Sequence, residues 1–244
     1  YGIPGATLNF AFTPTYSEAD EIAGKTPAEQ VANISQSDTL SETQQDAHRC
    51  GAGALLNAWL LLGGSFQQAA MRLGLSTQQR SLTYQNMHMA QEALYTHSNT
   101  DGRDGLTSSL NYSHRQGQIV SSRLSQEVAV AIDHLGLKAT PLMGPTTESL
   151  HQRQSAVAQF FSQHPQGVLM AGIHLDPDSG VLHSVSDQHA MNHFVAIHRE
   201  AGDFYLVDTG ASDNGAGNSR HKLSSEDMQG FIYQTPAHVI GLTR

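Results

Sequence analysis

Cysteine is nearly absent from this sequence. Its 244 residues include only Cys50, which excludes an internal disulfide and any Cys-x-x-Cys site for zinc or redox chemistry. Long apolar runs are absent too. The longest, ALLNAWLLLGG over 54–64, is well short of the roughly 18 residues that a membrane-spanning helix needs. The sequence therefore predicts neither a disulfide-stabilised scaffold nor a membrane-embedded segment.

Positive charge is also scarce. The formal net charge is −9 at pH 7, and the 13 basic residues include only three lysines, Lys25, Lys138 and Lys222. A nucleic-acid-binding protein needs a basic face, and no basic amphipathic stretch suits an anionic membrane surface. We therefore expect neither nucleic acid nor a membrane as a partner. Low lysine content occurs in some toxins and effectors that avoid ubiquitination, although chance explains it nearly as well.

Apolar periodicity places helices in the first part of the chain and strands in the last. Because helices precede antiparallel strands, we expect an α+β domain. Residues 1–43 form a loosely packed polar N-terminal arm in this interpretation, and 44–244 form a single catalytic domain. The predicted helices cover 26–34, 50–62, 65–73, 84–97, 124–136 and 147–164, and the predicted strands cover 167–174, 193–199, 204–209 and 237–242.

Two of these strands form a predicted hairpin with an ionisable residue at each free end. In the segment NHFVAIHREAGDFYLVDTG, residues 192–210, His193 stands at the start of the first strand and Asp208 at the end of the second. If Arg199 opposes Gly202, His193 lies directly across from Asp208; if the register shifts by two residues, His193 is its diagonal neighbour on the same face. Both registers predict a contact in which the carboxylate orients the imidazole, as a general base requires. A satisfied structural histidine is the alternative.

Cys50 lies where polar sequence gives way to an apolar helix. At a helix N-terminus the macrodipole favours a thiolate. The four residues that follow it, 51–54, are glycine or alanine, which predicts open space above the sulfur and close approach of other backbone. An inert, buried cysteine is the alternative, and it predicts larger apolar neighbours and a mid-helix position.

A side-chain amide stands six residues before the cysteine, at Gln44, with Gln45 beside it. Together with the Cys50 backbone N–H, this amide could bind the oxyanion of a tetrahedral intermediate. Glutamine is abundant in the chain, so the spacing supports this role without proving it.

The order Gln44, Cys50, His193, Asp208 resembles the papain-like cysteine peptidase superfamily. Within it, HFVAIHREAGDFYLVDTG is most similar to YopT/AvrPphB-type bacterial effector peptidases, whose His-Ala-Val-Ala-Ile segment precedes a turn and Phe-Asp-Pro-Asn. The 15-residue step from His193 to Asp208 is similar, whereas Thr209-Gly210 replaces Pro-Asn. The resemblance covers about 40 residues. It implies a papain-like fold, with a helical subdomain packed on an antiparallel sheet.

Other histidines and carboxylates offer competing sites. His183, His189, His193 and His198 cluster in sequence, but the zinc-protease pattern fails because Ala190 follows His189 where a glutamate is required. With no second thiolate ligand available, we expect no metal and no cofactor. His48 is an alternative base. Asp187 and Asp213 are alternative carboxylates, ranked below Asp208 because neither ends an apolar strand.

The predicted function is a cysteine peptidase with a protein substrate. Cys50 attacks the carbonyl carbon, His193 transfers the proton, Asp208 orients His193, and Gln44 with the Cys50 N–H holds the oxyanion. Glutamine deamidation or acyl transfer would use the same groups, because each begins with an acyl-thioester. A non-catalytic binding domain is the third hypothesis. The resemblance and the low lysine content suggest a secreted bacterial effector or toxin that acts in a target-cell cytosol.

Overall fold

The computed structural model describes most of the chain. The described residues are 2–3, 17–35, 49–98, 132–142, 149–176, 178–179, 181–189, 191–210, 219–233 and 239–244.

The described elements combine helices with an antiparallel sheet, and the predicted α+β class is confirmed. The helices are α1 (Pro27–Val31), α2 (Cys50–Leu61), α3 (Phe66–Arg72), α4 (Tyr84–Ser98), α5 (Leu150–Gln163) and α6 (Ser225–Met228), with a 3-10 turn at Thr77–Gln79 and a π-helical turn at Gln229–Tyr233. The strands are β1 (Gly2–Ile3), β2 (Lys138–Pro141), β3 (Val168–Leu175), β4 (Leu182–His183), β5 (His193–Glu200), β6 (Asp203–Val207), β7 (Arg220–Lys222) and β8 (Val239–Thr243).

Five of the six predicted helices match described helices. For the sixth, 124–136, residues 132–135 are helical and the rest lies outside the described residues. Among the described residues, no helix combines the length and apolar character required to cross a bilayer.

The strands form one antiparallel sheet with β3, β5 and β6 at its centre. The order β1-β4-β3-β5-β6-β7 follows one path, and β8 pairs with the other part of β3 and with β2. The sequence analysis missed the short strands β1, β2, β4 and β7, because two to four residues are too few to show an alternating pattern.

Apolar residues cover both faces of the sheet. Along β5, Phe194 and Ala196 pack in the core that contains α2, whereas Val195 and Ile197 pack in a second core with α5. The same alternation occurs along β3. Helices therefore lie on both faces, whereas the resemblance implied one helical subdomain packed on the sheet. The papain-like form of the fold stays a prediction.

Helix α2 is the most buried helix of the core. Every residue from Cys50 to Leu60 is buried, and the helix packs against β5, β3, α1, α3 and α4. Small residues at 51–54 allow this close packing on several sides. The helix ends at a glycine, because Gly63 adopts a φ of 84° just after it.

The N-terminal segment 17–35 also belongs to the core. Ile22, Val31 and Ile34 are buried in the same cluster as α2. The side chain of Glu18 lies 2.9 Å from His88 of α4. The expectation of a loosely packed arm is therefore wrong for this segment, because its few apolar residues are spaced to face α2. The predicted boundary between residues 43 and 44 lies outside the described residues.

A two-residue turn fixes the register of the β5–β6 hairpin. Ala201 and Gly202 have positive φ values of 51° and 85°, as in the type I′ turns that suit the twist of hairpins. Glu200 pairs with Asp203, and Ile197 with Leu206. The register in which Arg199 opposes Gly202 is therefore wrong, and the alternative shifted by two residues is the one observed.

Ala201→Asn is expected to raise the free energy of unfolding by about 0.5–1 kcal/mol, because asparagine tolerates the left-handed region better than alanine. Gly202→Ala is the opposing control. It places a side chain in open space at φ 85° and is expected to lower stability by about 1 kcal/mol. Urea unfolding measures both. A less stable Ala201→Asn protein would contradict this account of the turn.

Candidate active site

The hairpin brings the predicted histidine and aspartate into contact. Extending the observed register places Asp208 opposite Val195, so that His193 is its diagonal neighbour on the same face. His193 Nε2 lies 2.6 Å from Asp208 Oδ1, and both side chains are buried. The predicted contact is present, although diagonal rather than directly across the ladder.

Backbone groups hold the Asp208 carboxylate and its main chain in place. Oδ1 also accepts a hydrogen bond from the Gly210 N–H at 2.8 Å, and the Asp208 N–H donates to the Ser219 carbonyl at 2.7 Å. Ser219 in turn donates through its N–H to the Ala32 carbonyl and through its hydroxyl to the Ile34 carbonyl. The aspartate is thereby tied to the N-terminal segment as well as to the sheet.

A side-chain clamp positions the start of β5. Asn192 accepts a hydrogen bond from the Leu175 N–H at 2.7 Å and donates to the Leu175 carbonyl at 2.9 Å. The Asn192 N–H donates to the Ile173 carbonyl. Because Asn192 directly precedes His193, these bonds fix where the imidazole leaves the backbone.

The imidazole of His193 has a second partner, the Cys50 side chain, with which it forms a hydrogen bond. Since Nε2 faces Asp208, Nδ1 is the ring nitrogen left for the thiol. Burial by itself lowers the pKa of His193. The charge of Asp208 and the hydrogen bonds from Asp208 and Cys50 outweigh burial and raise this pKa from 6.5 to about 10. The ring is therefore charged at neutral pH.

Cys50 is the first residue of α2 and is fully buried. The expected open space above the sulfur is therefore wrong. A close approach is present at Gly53, but a side chain makes it rather than the expected backbone: a Cβ there would lie 2.8 Å from Thr209 Cγ2. The small residues admit the strand end that carries Asp208 rather than leaving a cavity. The preceding residue, Arg49, is buried and lies 3.5 Å from Glu92 of α4.

The remaining predicted residues are outside this contact or outside the described residues. Gln44, Gln45, His48 and Asp213 are not among the described residues. Asp187 is exposed. Cys50, His193 and Asp208 are therefore the predicted site residues that the structure brings together.

The histidines considered as metal ligands are divided among different contacts. His183 stacks on His189 with ring centroids 4.3 Å apart, and His174 lies beside them. His198 accepts a hydrogen bond from Arg220 Nε at 3.1 Å. Within the described parts of the chain, no group of three or more histidine, cysteine or acidic residues could hold a metal ion.

Sequence reasoning missed three polar residues around the site: Asn192, Ser219 and His221. Asn192 and Ser219 satisfy backbone groups of distant segments, and His221 lies on the short strand β7 next to β6. One signal in the sequence could have identified Asn192. It directly precedes His193 at the start of an apolar strand, and a polar side chain in such a place usually bonds a backbone group.

Comparison with known proteins returned no similarity: no protein-family model, no curated protein and no solved structure matches this chain.

The raised pKa of His193 predicts a pH-dependent stability. A histidine whose folded-state pKa exceeds its unfolded value stabilises the fold below about pH 6.5 and loses that contribution as the pH rises to about 10. The difference in free energy of unfolding between the unmodified protein and His193→Gln is expected to fall across this window by up to about 1.4 kcal/mol per pH unit. Denaturant unfolding at several pH values measures it, and a difference that stays flat or grows with pH would contradict the assignment.

The contact between Gly53 and Thr209 predicts a second effect. Gly53→Ala improves helix propensity by about 1 kcal/mol, but the overlap with Thr209 is expected to make the net change destabilising by about 1–2 kcal/mol. Combining it with Thr209→Ala leaves only the Cβ contact at 3.2 Å and is expected to recover most of the loss. Thermal unfolding of the two single variants and the double variant tests this. A stabilising Gly53→Ala change would show that Thr209 does not press on α2.

Proposed function

We propose that this protein is a cysteine hydrolase of the papain-like type, with a peptide bond in a protein as its substrate. The observation that carries the proposal is the shared imidazole. The imidazole ring of His193 forms one hydrogen bond with the Asp208 carboxylate and another with the Cys50 side chain. A nucleophile, a base and a group that orients the base are the three elements of nucleophilic catalysis by a triad.

The first step of the proposed reaction uses the charge of the ring. In the proposed resting state the thiol proton already lies on His193, so the reaction starts from a Cys50 thiolate and an imidazolium that Asp208 stabilises. The Cys50 thiolate attacks the carbonyl carbon, and the electron pair of the C=O bond moves to oxygen to give a tetrahedral oxyanion. Gln44 and the Cys50 N–H are the proposed donors to this oxyanion, a role that rests on the sequence alone.

Collapse of the intermediate re-forms the C=O bond and breaks the C–N bond. The leaving amine takes the proton from His193, and the acyl group stays on sulfur as a thioester. A water molecule then gives a proton to the neutral His193 ring and attacks the thioester, so that the carboxylic acid leaves, the sulfur departs as thiolate, and the thiolate–imidazolium pair is restored. If a protein amine attacks the thioester in place of water, the reaction is an acyl transfer. If the substrate is a glutamine side chain, ammonia is the leaving group and hydrolysis of the thioester makes the reaction a deamidation.

The order of elements supports the papain-like assignment. The cysteine opens a buried helix, the histidine opens a strand, and the aspartate follows the next strand of the same antiparallel sheet. The low lysine content adds support for an effector or toxin acting in a target-cell cytosol.

Burial of the thiol favours the competing hypothesis of a non-catalytic domain. Cys50 has no exposed surface and is part of the core cluster around α2. A substrate reaches the sulfur only if the residues that cover it move aside. Reactivity of the native thiol therefore separates the two functions.

Alkylation of the folded protein with iodoacetamide at neutral pH provides the test. The proposal predicts saturable modification of Cys50 that His193→Ala slows by at least about a hundredfold, because the thiolate loses its cationic partner. Each protein in denaturant serves as the matched control, where the two thiols react equally. Equal rates for the two folded proteins would support the non-catalytic domain.

Cleavage of a peptide library identifies the reaction. We expect the unmodified protein to hydrolyse peptides and Cys50→Ala to lose at least about three orders of magnitude of activity while keeping its fold, since alanine suits a helix. Mass spectrometry separates cleavage from deamidation by the change in peptide mass. Unfolding of Cys50→Ala would instead mark Cys50 as a packing residue.

A further inference from the structure

A second histidine lies beside the buried aspartate, on the strand opposite to His193. In the ladder between β6 and β7, His221 pairs with Leu206. Leu206 and Asp208 share one face of the sheet, because side chains alternate along a strand. His221 is therefore a diagonal neighbour of Asp208, as His193 is on the β5 side. The carboxylate lies between two imidazoles.

Among the described residues, one polar atom of Asp208 and one of His221 have no hydrogen-bond partner. Asp208 uses Oδ1 for His193 and Gly210, whereas Oδ2 is buried without a partner among the described residues. His221 Nε2 is also buried without a partner in the same part of the chain. Buried polar groups are nearly always satisfied, directly or through water, and one N–H donor facing one free carboxylate oxygen would satisfy both atoms.

The surroundings of His221 favour a neutral ring. Burial lowers the pKa of His221, and the charge of Asp208 opposes that effect. On the same face β5 contributes the charged His193, whereas Leu206 and Leu223 are apolar. The cations Arg220 and Lys222 lie on the other face, where they pair with Glu200 and Asp203. A neutral imidazole can still donate through Nε2–H, and it adds no second positive charge next to His193.

We propose that His221 is a positioning residue for the candidate active site. Its Nε2–H reaches Oδ2 of Asp208 through one bridging water, since the two atoms form no direct hydrogen bond in the structure, and the bridge holds the plane of the carboxylate that orients His193. Because this proposal rests on the proposed function, its test must separate a failure of one from a failure of the other.

Two substitutions of His221 differ in the donor that they keep. His221→Gln places an amide N–H close to the position of Nε2, whereas His221→Leu keeps an apolar side chain without a donor. We expect His221→Leu to slow alkylation of Cys50 by about tenfold, which is the usual effect of losing one hydrogen bond to a charged group. We also expect the upper pH limit of the His193-dependent alkylation to move to a lower pH. His221→Gln is expected to stay within about twofold of the unmodified protein.

His198→Leu is the matched control. His198 is a buried histidine on β5 that bonds Arg220 on the opposite face of the sheet. Its loss is expected to lower the melting temperature without changing the pH profile of Cys50 alkylation. An effect of His221→Leu that His198→Leu reproduces would reduce His221 to a structural residue and overturn the proposal.

The two proposals fail in different ways. If His193→Ala reacts as fast as the unmodified protein, the proposed function fails. If His193→Ala is slow and His221→Leu matches the unmodified protein in rate and pH profile, only the role of His221 fails.

Nitrogen-15 NMR of the unmodified protein gives a measurement that no folding defect can disturb. A neutral His221 ring with its proton on Nε2 is the expected result, and a neutral ring with its proton on Nδ1 would overturn the proposal.

Discussion

The architecture around the candidate site depends on one buried contact, the hydrogen bond between His193 and Asp208. A fully buried carboxylate is costly unless it is paired and hydrogen-bonded, and here the partner comes from the neighbouring strand. A slip of one residue in the hairpin would place the two side chains on opposite faces and leave the carboxylate unpaired. The register set at Ala201 and Gly202 therefore determines whether the site exists.

Described segments that are distant in sequence hold the His193–Asp208 contact in place. Ser219 links the Asp208 backbone to residues of the N-terminal segment, and Asn192 fixes the backbone just before His193. Thr209 packs on Gly53, which brings the end of β6 against the helix that begins with Cys50. A rigid scaffold of this kind is what a preorganised catalytic group needs. The same scaffold buries the thiol, since Cys50 has no exposed surface. Opening of the site is then a step of the proposed reaction, as in enzymes gated by segments that cover the substrate.

Sequence patterns predicted the longer helices and strands well, and the short strands and the long-range packing poorly. Helix α2 and strand β3 are continuous apolar runs, and β5 and β6 alternate around a turn, so their positions, and the meeting of His193 with Asp208, could be predicted locally. The register differed by two residues because alanine at a positive φ, as at Ala201, has no sequence signal. Burial of Cys50 and of the segment 17–35 depends on residues distant in sequence. The same holds for Asn192, Ser219 and His221, whose partners lie on other elements.

The proposed chemistry depends above all on the protonation state of the His193 ring. Asp208 and Cys50 together keep this buried imidazole charged at neutral pH. Nitrogen-15 NMR of the ring, assigned with His193→Gln, reports the charge at each pH. We expect protons on both ring nitrogens at neutral pH, with titration only toward about pH 10 and at a lower pH in Asp208→Asn. A neutral ring at neutral pH in the unmodified protein would contradict this expectation.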